Sequence, residues 1–457
     1  MMRSGYDRLL MGSPLRRSRV GKAIAAALLV ILAFATLVQL VVFTGMPPRL
    51  LGVFLRALAL SSLLALVPLS ILWFLDRRER ESPWLFAAAF LWGGLIATAL
   101  ALPFNTAFFK LVDEWLTHHP MLEVILGPEA PLMLVAPISA PIVEEFVKAL
   151  GVLLLFWLLR PEFDNMRDGL VYGALVGLGF TWYEAALYVV NVYAKIGVAA
   201  YGLQLGARYA LFGLGGHALF TGLFGASLGF ALQTRRRWLR ILAPILGLAL
   251  AIAAHMLNNA LPLFATLTRI AAGKPPPESE QIPDIGFFQA FATSSLVQLT
   301  IFVPFWLIMA FAVWRSGVWE RRVIREELAS EIGRSVTPDE YRAIASDRML
   351  RTRRVDREDP EVSAALVNAQ NELAFRKRRV RNDGGDPERD SLVAGMAGGH
   401  PPFATSIGYA IFLERLSGSA LLECPLMALS GHSSSGGSCP LLRGKADISD
   451  ACSNVCL

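Results

Sequence analysis

Two adjacent glutamates, Glu144 and Glu145, stand four and three residues before Lys148 inside an apolar stretch. Farther on, Glu184, His217 and His255 each lie in a separate apolar stretch, and Asn258 and Asn259 follow His255. Carboxylates and imidazoles are the groups that move protons in general acid–base catalysis, and both ligate metals. An ionisable side chain within an apolar span is costly, so each marks a functional site. Adjacent helical residues point about 100° apart, so Glu144 and Glu145 cannot address one point equally. Pairing of Lys148 with Glu144 has the favourable four-residue order and would leave Glu145 free to act. Pairing with Glu145 at three residues is nearly as good. His255 and Asn259 share a helical face, and Asn259 can donate to a developing oxyanion. Any one of these residues alone reads equally as an interhelical hydrogen-bonding group. The argument for a site lies in their combination.

The elements that must position them are membrane spans. The chain has 457 residues, 54% apolar and 18% charged, with a mean hydropathy of +0.48. Soluble domains average roughly 45–50% apolar and 25% charged. Charge is sparse before about residue 315 and dense after it. The expected class is therefore an all-α polytopic membrane protein with a polar C-terminal extension, and secreted, cytosolic and fibrous classes are excluded. A span needs about 20 apolar residues. Eight segments qualify: 23–45, 51–75, 84–104, 132–159, 168–192, 206–232, 238–263 and 289–314.

Basic residues cluster at 3–22, at 77–80, at 235–240 and from Arg315 onward, with Arg160 and Arg167 in the 160–168 turn. The alternate connections, 46–50, 105–131, 193–205 and 264–288, are poorer in Lys and Arg. Eight spans put every basic connection on one side, and the positive-inside rule then places both termini in the cytoplasm. The net charge of +6 and pI of 9.2 reflect these span ends in part, so no nucleic-acid partner is expected. In this topology Glu144, Glu184, His217 and His255 all lie roughly 9–18 Å below the outer surface, at 1.5 Å per residue. One buried cluster in the outer half of a cell membrane follows.

The expected organisation is a basic N-terminus (1–22), an eight-helix domain (23–314, with its motif core at 130–265), a charged helical cytoplasmic segment (315–382) broken at Thr337-Pro338, and a low-complexity disordered tail (383–457). An interfacial helix is expected within 105–131, carrying Phe108, Leu111 and Trp115, and an extended loop at 274–288. Arg376, Lys377, Arg378 and Arg379 read as a solvated face ahead of a lipid-binding one. Cys424, Cys439, Cys452 and Cys456 all fall in the tail, so no disulfide framework supports the fold. The glycines at 169, 173 and 177 and at 225 and 229 read as close-packing faces. Gly225–Gly229 matches GxSxG by letter, but it lies in a span and not at a strand-to-helix elbow. HExxH and GxGD are absent from the sequence.

The polar residues resemble the motifs of the PrsW family of intramembrane proteases. Glu144-Glu145-Phe-Val-Lys148 resembles its EExxK motif and Phe180-Thr-Trp-Tyr-Glu184 its FxxxE motif. His217 resembles its isolated histidine, and His255-Met-Leu-Asn-Asn259 its HxxxN/D motif. The family is similar to the CAAX prenyl endopeptidases and the bacteriocin-processing proteins, in which the first motif usually ends in Arg and the second in His. Lys148 and Glu184 therefore favour the PrsW branch. The resemblance covers about 130–265. It implies peptide-bond hydrolysis at the membrane of a single-span protein such as an anti-sigma factor, cut on its external side, in a bacterial cell.

Two schemes of hydrolysis fit these residues. In one, Glu184, His217 and His255 hold a metal, with zinc the first choice, and Glu144 or Glu145 is the general base. In the other, a glutamate activates water directly while the histidines and Asn259 polarise the carbonyl. Two rival classes remain at this level. Buried Glu, His and Lys also build proton-coupled transporters, and a non-catalytic scaffold would hold a single-span partner in the same groove.

Overall fold

The computed structural model describes residues 18–77, 83–158, 163, 165–210, 212–275, 285–344, 346–347, 353–355 and 360–397. The tail beyond 397, with its four cysteines, His400 and His432, lies outside the described residues, as do Arg16, Arg17, Arg78, Arg80, Arg160, Pro276 and Pro277.

The chain is helical throughout its described part. α1 (Ser18–Thr44) and α2 (Pro48–Leu75) come first. α3 (Pro83–Leu91), a π-helical turn (Trp92–Ala97) and α4 (Thr98–Thr117) follow as one continuous rod. Short helices α5 (Pro120–Leu126) and α6 (Ala130–Val135) lead into α7 (Ser139–Leu158). α8 (Met166–Ile196) is the central helix, buried along most of its length. Next come α9 (Tyr201–Tyr209), α10 (Gly216–Gln233), α11 (Arg237–Asn259) and α12 (Leu261–Ala271). α13 (Phe287–Leu328) is the longest, and α14 (Pro338–Ile344), α15 (Pro360–Asn382) and α16 (Ser391–Ala397) complete the described chain.

Among the described residues, six helices are long and apolar enough to cross a membrane: Arg19–Thr44, Pro48–Leu75, Pro83–Thr117, Met166–Ile196, Arg237–Asn259 and Phe287–Glu331. The other two expected spans are each broken. Segment 132–159 divides into α6 and α7, where Pro131, Pro137 and Pro141 disfavour one continuous helix. α7 also carries Glu144, Glu145 and Lys148, too much charge for an apolar span. Segment 206–232 divides into the end of α9 and α10, across a turn in which Ala210, Gly213 and Gly216 take positive φ. The third span runs on to Thr117 and so absorbs Phe108, Leu111 and Trp115, which stay exposed on its C-terminal half. The seventh span bends at Ala260 into α12.

α8 owes its place to glycine. An added Cβ on Gly169 would come 2.0 Å from the carbonyl oxygen of Gly225, and one on Gly177 would come 2.0 Å from that of His217. The backbones of α8 and α10 therefore touch, in register, along a face that no larger residue fits. On another side, a Cβ on Gly179 would meet the carbonyl of Phe90 at 1.8 Å, which seats the rod of α3 and the π-turn against α8. A capping box opens α8: Asn165 accepts from the amides of Arg167 and Asp168, and Asp168 accepts from the amide of Asn165.

The basic run at 376–379 differs from expectation. Lys377 is fully buried and pairs with Glu331. Arg376 pairs with Asp390 at 2.8 Å and Arg378 with Glu327 at 2.8 Å. The physical reason is a small second core, in which Val323, Ile324 and Leu328 of α13 pack on Leu373, Ala374 and Phe375 of α15. Docking α15 by that apolar stripe carries Arg378 onto Glu327 of α13 and Lys377 onto Glu331 of the 3-10 turn that follows it. A 3-10 turn at Pro387–Arg389 and α16 also give structure to residues expected within the tail. The break at Thr337-Pro338 is an N-terminal cap. Thr337 Oγ1 accepts from the amide of Glu340, and Glu340 accepts from the amide of Thr337.

Candidate active site

Four helices bring the motif residues to one point. α7 supplies Glu144, Glu145 and Lys148, α8 supplies Glu184, α10 supplies His217 and α11 supplies His255 and Asn259. Glu144, Glu145, Lys148, His217 and His255 are all buried. The glycine contact at Gly177 sets His217 against α8. Glu184 lies seven residues, about two turns, farther along the same face. Its side chain leans back toward the helix N-terminus, as helical side chains do, and meets the imidazole.

The hydrogen bonds fix both imidazoles. Lys148 Nζ lies 2.7 Å from His217 Nδ1. An ammonium has no lone pair, so Nδ1 accepts and the ring proton is on Nε2. That Nε2–H donates to Glu184 Oε2 at 2.8 Å. His255 is the mirror case. Its Nδ1–H donates to Glu145 Oε1 at 3.0 Å, and its Nε2 accepts from Asn259 Nδ2 at 3.2 Å. Each histidine is thus pinned through its outer nitrogen by a carboxylate, and its inner lone pair faces Glu144. Pinning of this kind is the usual support of a ligating imidazole.

Lys148 settles closer to Glu145, at 2.7 Å from Oε1, than to Glu144, at 3.6 Å from Oε2. The three-residue pairing is therefore the tighter one. Glu145 is fully engaged, since Thr221 Oγ1 also donates to its Oε2 at 3.0 Å. Glu144 is not. Asn105 Nδ2 donates to its Oε1 at 3.0 Å, while Oε2 is buried with no hydrogen-bond partner among the described residues. That oxygen lies 4.0 Å from His217 Nδ1 and 3.9 Å from His255 Nε2.

This donor set suits a metal ion. One ligand atom from each of Glu144, His217 and His255 lies within 4.8 Å of the others. Ligands of a tetrahedral zinc ion, at about 2.0–2.1 Å from it, stand about 3.3–3.4 Å apart, so small movements suffice. The orphaned Oε2 of Glu144 and the two inward lone pairs are what such an ion would use. The sequence had placed Glu184 in that set. The fold instead sets Glu184 on the far nitrogen of His217, and Glu144 faces the two lone pairs.

Several contributors were not singled out in the sequence. Asn105 lies in the stretch read as a connection and is itself held by Ser139 Oγ at 3.3 Å. Thr221 stands four residues after His217, one turn along, which is the signal that finds it. Phe180, the first letter of the second motif, carries the Lys148 ammonium over its ring at 4.1 Å from the centroid. Phe220 stacks on His255 with centroids 5.1 Å apart. Both rings pack directly against the ionisable groups of the cluster.

Residues 81–275 match the family described as PrsW family intramembrane metalloprotease. The chain is also similar to "Protease PrsW" of Geobacillus kaustophilus (strain HTA426), 32% identical over 174 residues. That match covers 37% of this chain and 66% of the relative, so the chain spans just under two thirds of the relative's length. No solved structure matches. The stretch that matches is the stretch that folds the buried cluster, and it is this stretch, residues 81–275, that is similar to the PrsW family.

Proposed function

We propose that the chain is an intramembrane endopeptidase that hydrolyses peptide bonds of membrane-anchored proteins. One observation carries the reading. Among the described residues, Glu144 keeps a buried carboxylate oxygen without a hydrogen-bond partner, opposite two histidines whose lone pairs are turned toward it. A structural polar network would satisfy that atom, because an unmet buried acceptor costs roughly 1–3 kcal/mol or more.

In the proposed chemistry, Glu144, His217 and His255 would hold a divalent ion, with zinc the first choice. Bound there, it would supply Lewis acidity toward a water and the scissile carbonyl. Glu145 and Glu184 orient the imidazoles. Glu145 is then the group that takes a proton, with Lys148 holding its charge. Asn259 Nδ2 donates to Ala136 O at 3.0 Å and to His255 Nε2 at 3.2 Å; were that nitrogen to ligate an ion, the second hydrogen would be released toward the oxyanion. A second, metal-free reading is favoured by the Lys148–His217 and Asn259–His255 contacts, which already fill both lone pairs. In it, Glu144 Oε2 takes the proton from water directly.

The proposed substrate is a single-span protein such as an anti-sigma factor, cut near its external side. Both termini are proposed to be cytoplasmic in a bacterial cell membrane. The test is purification into liposomes with a single-span reporter. Cleavage that is lost in Glu144→Gln supports the reading. Proton flux without cleavage points to a transporter, and reporter capture unaffected by Glu144→Gln points to a scaffold. Either outcome overturns the reading.

A further inference from the structure

We propose that Arg208 is a positioning residue of the same site: it fixes Glu184, and through Glu184 it sets the orientation of His217. The inference rests on the protease reading above.

Arg208 is in no motif. It lies on the last turn of α9, before the turn that breaks the expected span. That turn is unusual, because Ala210 takes φ of 50°, a left-handed conformation rarely held by a residue with a Cβ. Gly213 and Gly216 also have positive φ, at 67° and 54°. The chain then enters α10, whose second residue is His217. An added Cβ on Gly216 would lie 3.2 Å from the carbonyl oxygen of Arg208, so the two sides of the turn nearly touch. Residues nine apart in sequence thus both reach Glu184. His217 Nε2 is 2.8 Å from Glu184 Oε2, and Arg208 Nε is 3.9 Å from the same oxygen.

The guanidinium is held for this task. Its carbon stands 3.3 Å from the ring centroid of Tyr188, one helical turn after Glu184, and Nη1 donates to Gln204 Oε1 at 3.1 Å. Its Nε is buried with no hydrogen-bond partner among the described residues. Arg208 and Glu184 keep 19% and 15% of their side-chain surface exposed, so solvent screens this pair less than an open surface pair. Glu184 needs such a partner. Its carboxylate must stay charged and still to hold the Nε2 proton of His217, because that proton keeps the Nδ1 lone pair turned inward. A planar, permanently charged group stacked on an aromatic ring meets that need better than a flexible ammonium.

The experiment uses the full chain in liposomes, with zinc affinity from chelator competition and kcat and KM for the single-span reporter. Outer-shell partners of a metal-ligating histidine are worth about 10–100-fold in affinity or activity. Arg208→Gln is expected to weaken zinc by about tenfold and lower kcat by a similar factor, with KM within about twofold. Arg208→Lys is expected to recover part of both losses. Glu184→Gln should match Arg208→Gln, and the double variant should add little to either. Arg208→Gln with zinc affinity and kcat equal to wild type overturns the proposal. So does an equal loss in Arg208→Gln and Arg208→Lys accompanied by a fall in melting temperature, which marks a purely structural residue. If the wild-type protein neither binds zinc nor cleaves, the protease reading itself fails and this proposal falls with it.

Discussion

Lys148 Nζ lies 2.7 Å from His217 Nδ1, on the face of the ring that looks toward Glu144. A metal and this ammonium cannot share one lone pair. Ion binding therefore requires Lys148 to swing off His217 while it keeps Glu145, 2.7 Å away.

Metal dependence follows from this exclusion. The purified protein is expected to carry about one zinc per chain, to lose cleavage on chelation and to regain it with zinc. Metal analysis with a chelation and add-back series checks it. Full cleavage by metal-free protein would select the glutamate reading instead.

Glu144 and His255 are expected to be indispensable. Glu144→Gln and His255→Ala should each lower reporter cleavage by at least about 100-fold, the low end of what a positioned acid–base group contributes. Band densitometry on gels reads this directly. Near-normal cleavage in either variant would refute the assignment.

Thr221 should matter through Glu145. Thr221→Val leaves the buried Glu145 Oε2 without its donor, at a cost of about 1–3 kcal/mol. The expected result is a lower melting temperature in detergent together with reduced cleavage. An unchanged melting temperature would mean that another donor replaces the hydroxyl.

The backbone contact of α8 and α10 offers a control pair. In Gly177→Ala the new methyl would sit 2.0 Å from the His217 carbonyl, so the two helices must part and cleavage should be lost. Gly52→Ala meets nothing within 4 Å and should behave as wild type. Equal activity in the two variants would show that the helix register does not govern the site.

The buried pair of Lys377 and Glu331 should hold the α13–α15 unit together. Lys377→Ala strands a carboxylate that is 2% exposed, and breaking a buried pair costs about 3–5 kcal/mol. Faster limited proteolysis within 329–397 is the expected outcome. An unchanged digestion pattern would rule out that role.

Much of the site was legible because membrane spans tolerate few charges. Glu144, Glu145, Lys148, Glu184, His217 and His255 stand out in apolar stretches for that reason, and their order carries the family resemblance. Asn105 and Thr221 did not stand out, because a lone amide or hydroxyl is common in helices. Arg208 lay at the edge of an expected span, where basic residues usually serve as anchors. The basic run at 376–379 gave no sign of burial, since the acidic partners of Lys377 and Arg378 are some fifty residues distant.

The sequence by itself determined the class, the helices and the ionisable residues, because hydropathy and the cost of buried charge are local properties. Which glutamate stays free, which nitrogen of each histidine turns inward and which carboxylate stands behind it were decided by tertiary structure. Those facts depend on helices that meet through glycine contacts and on the turn of positive φ at Ala210. Sequence spacing relates residues within one helix, whereas the site is made by distances between helices.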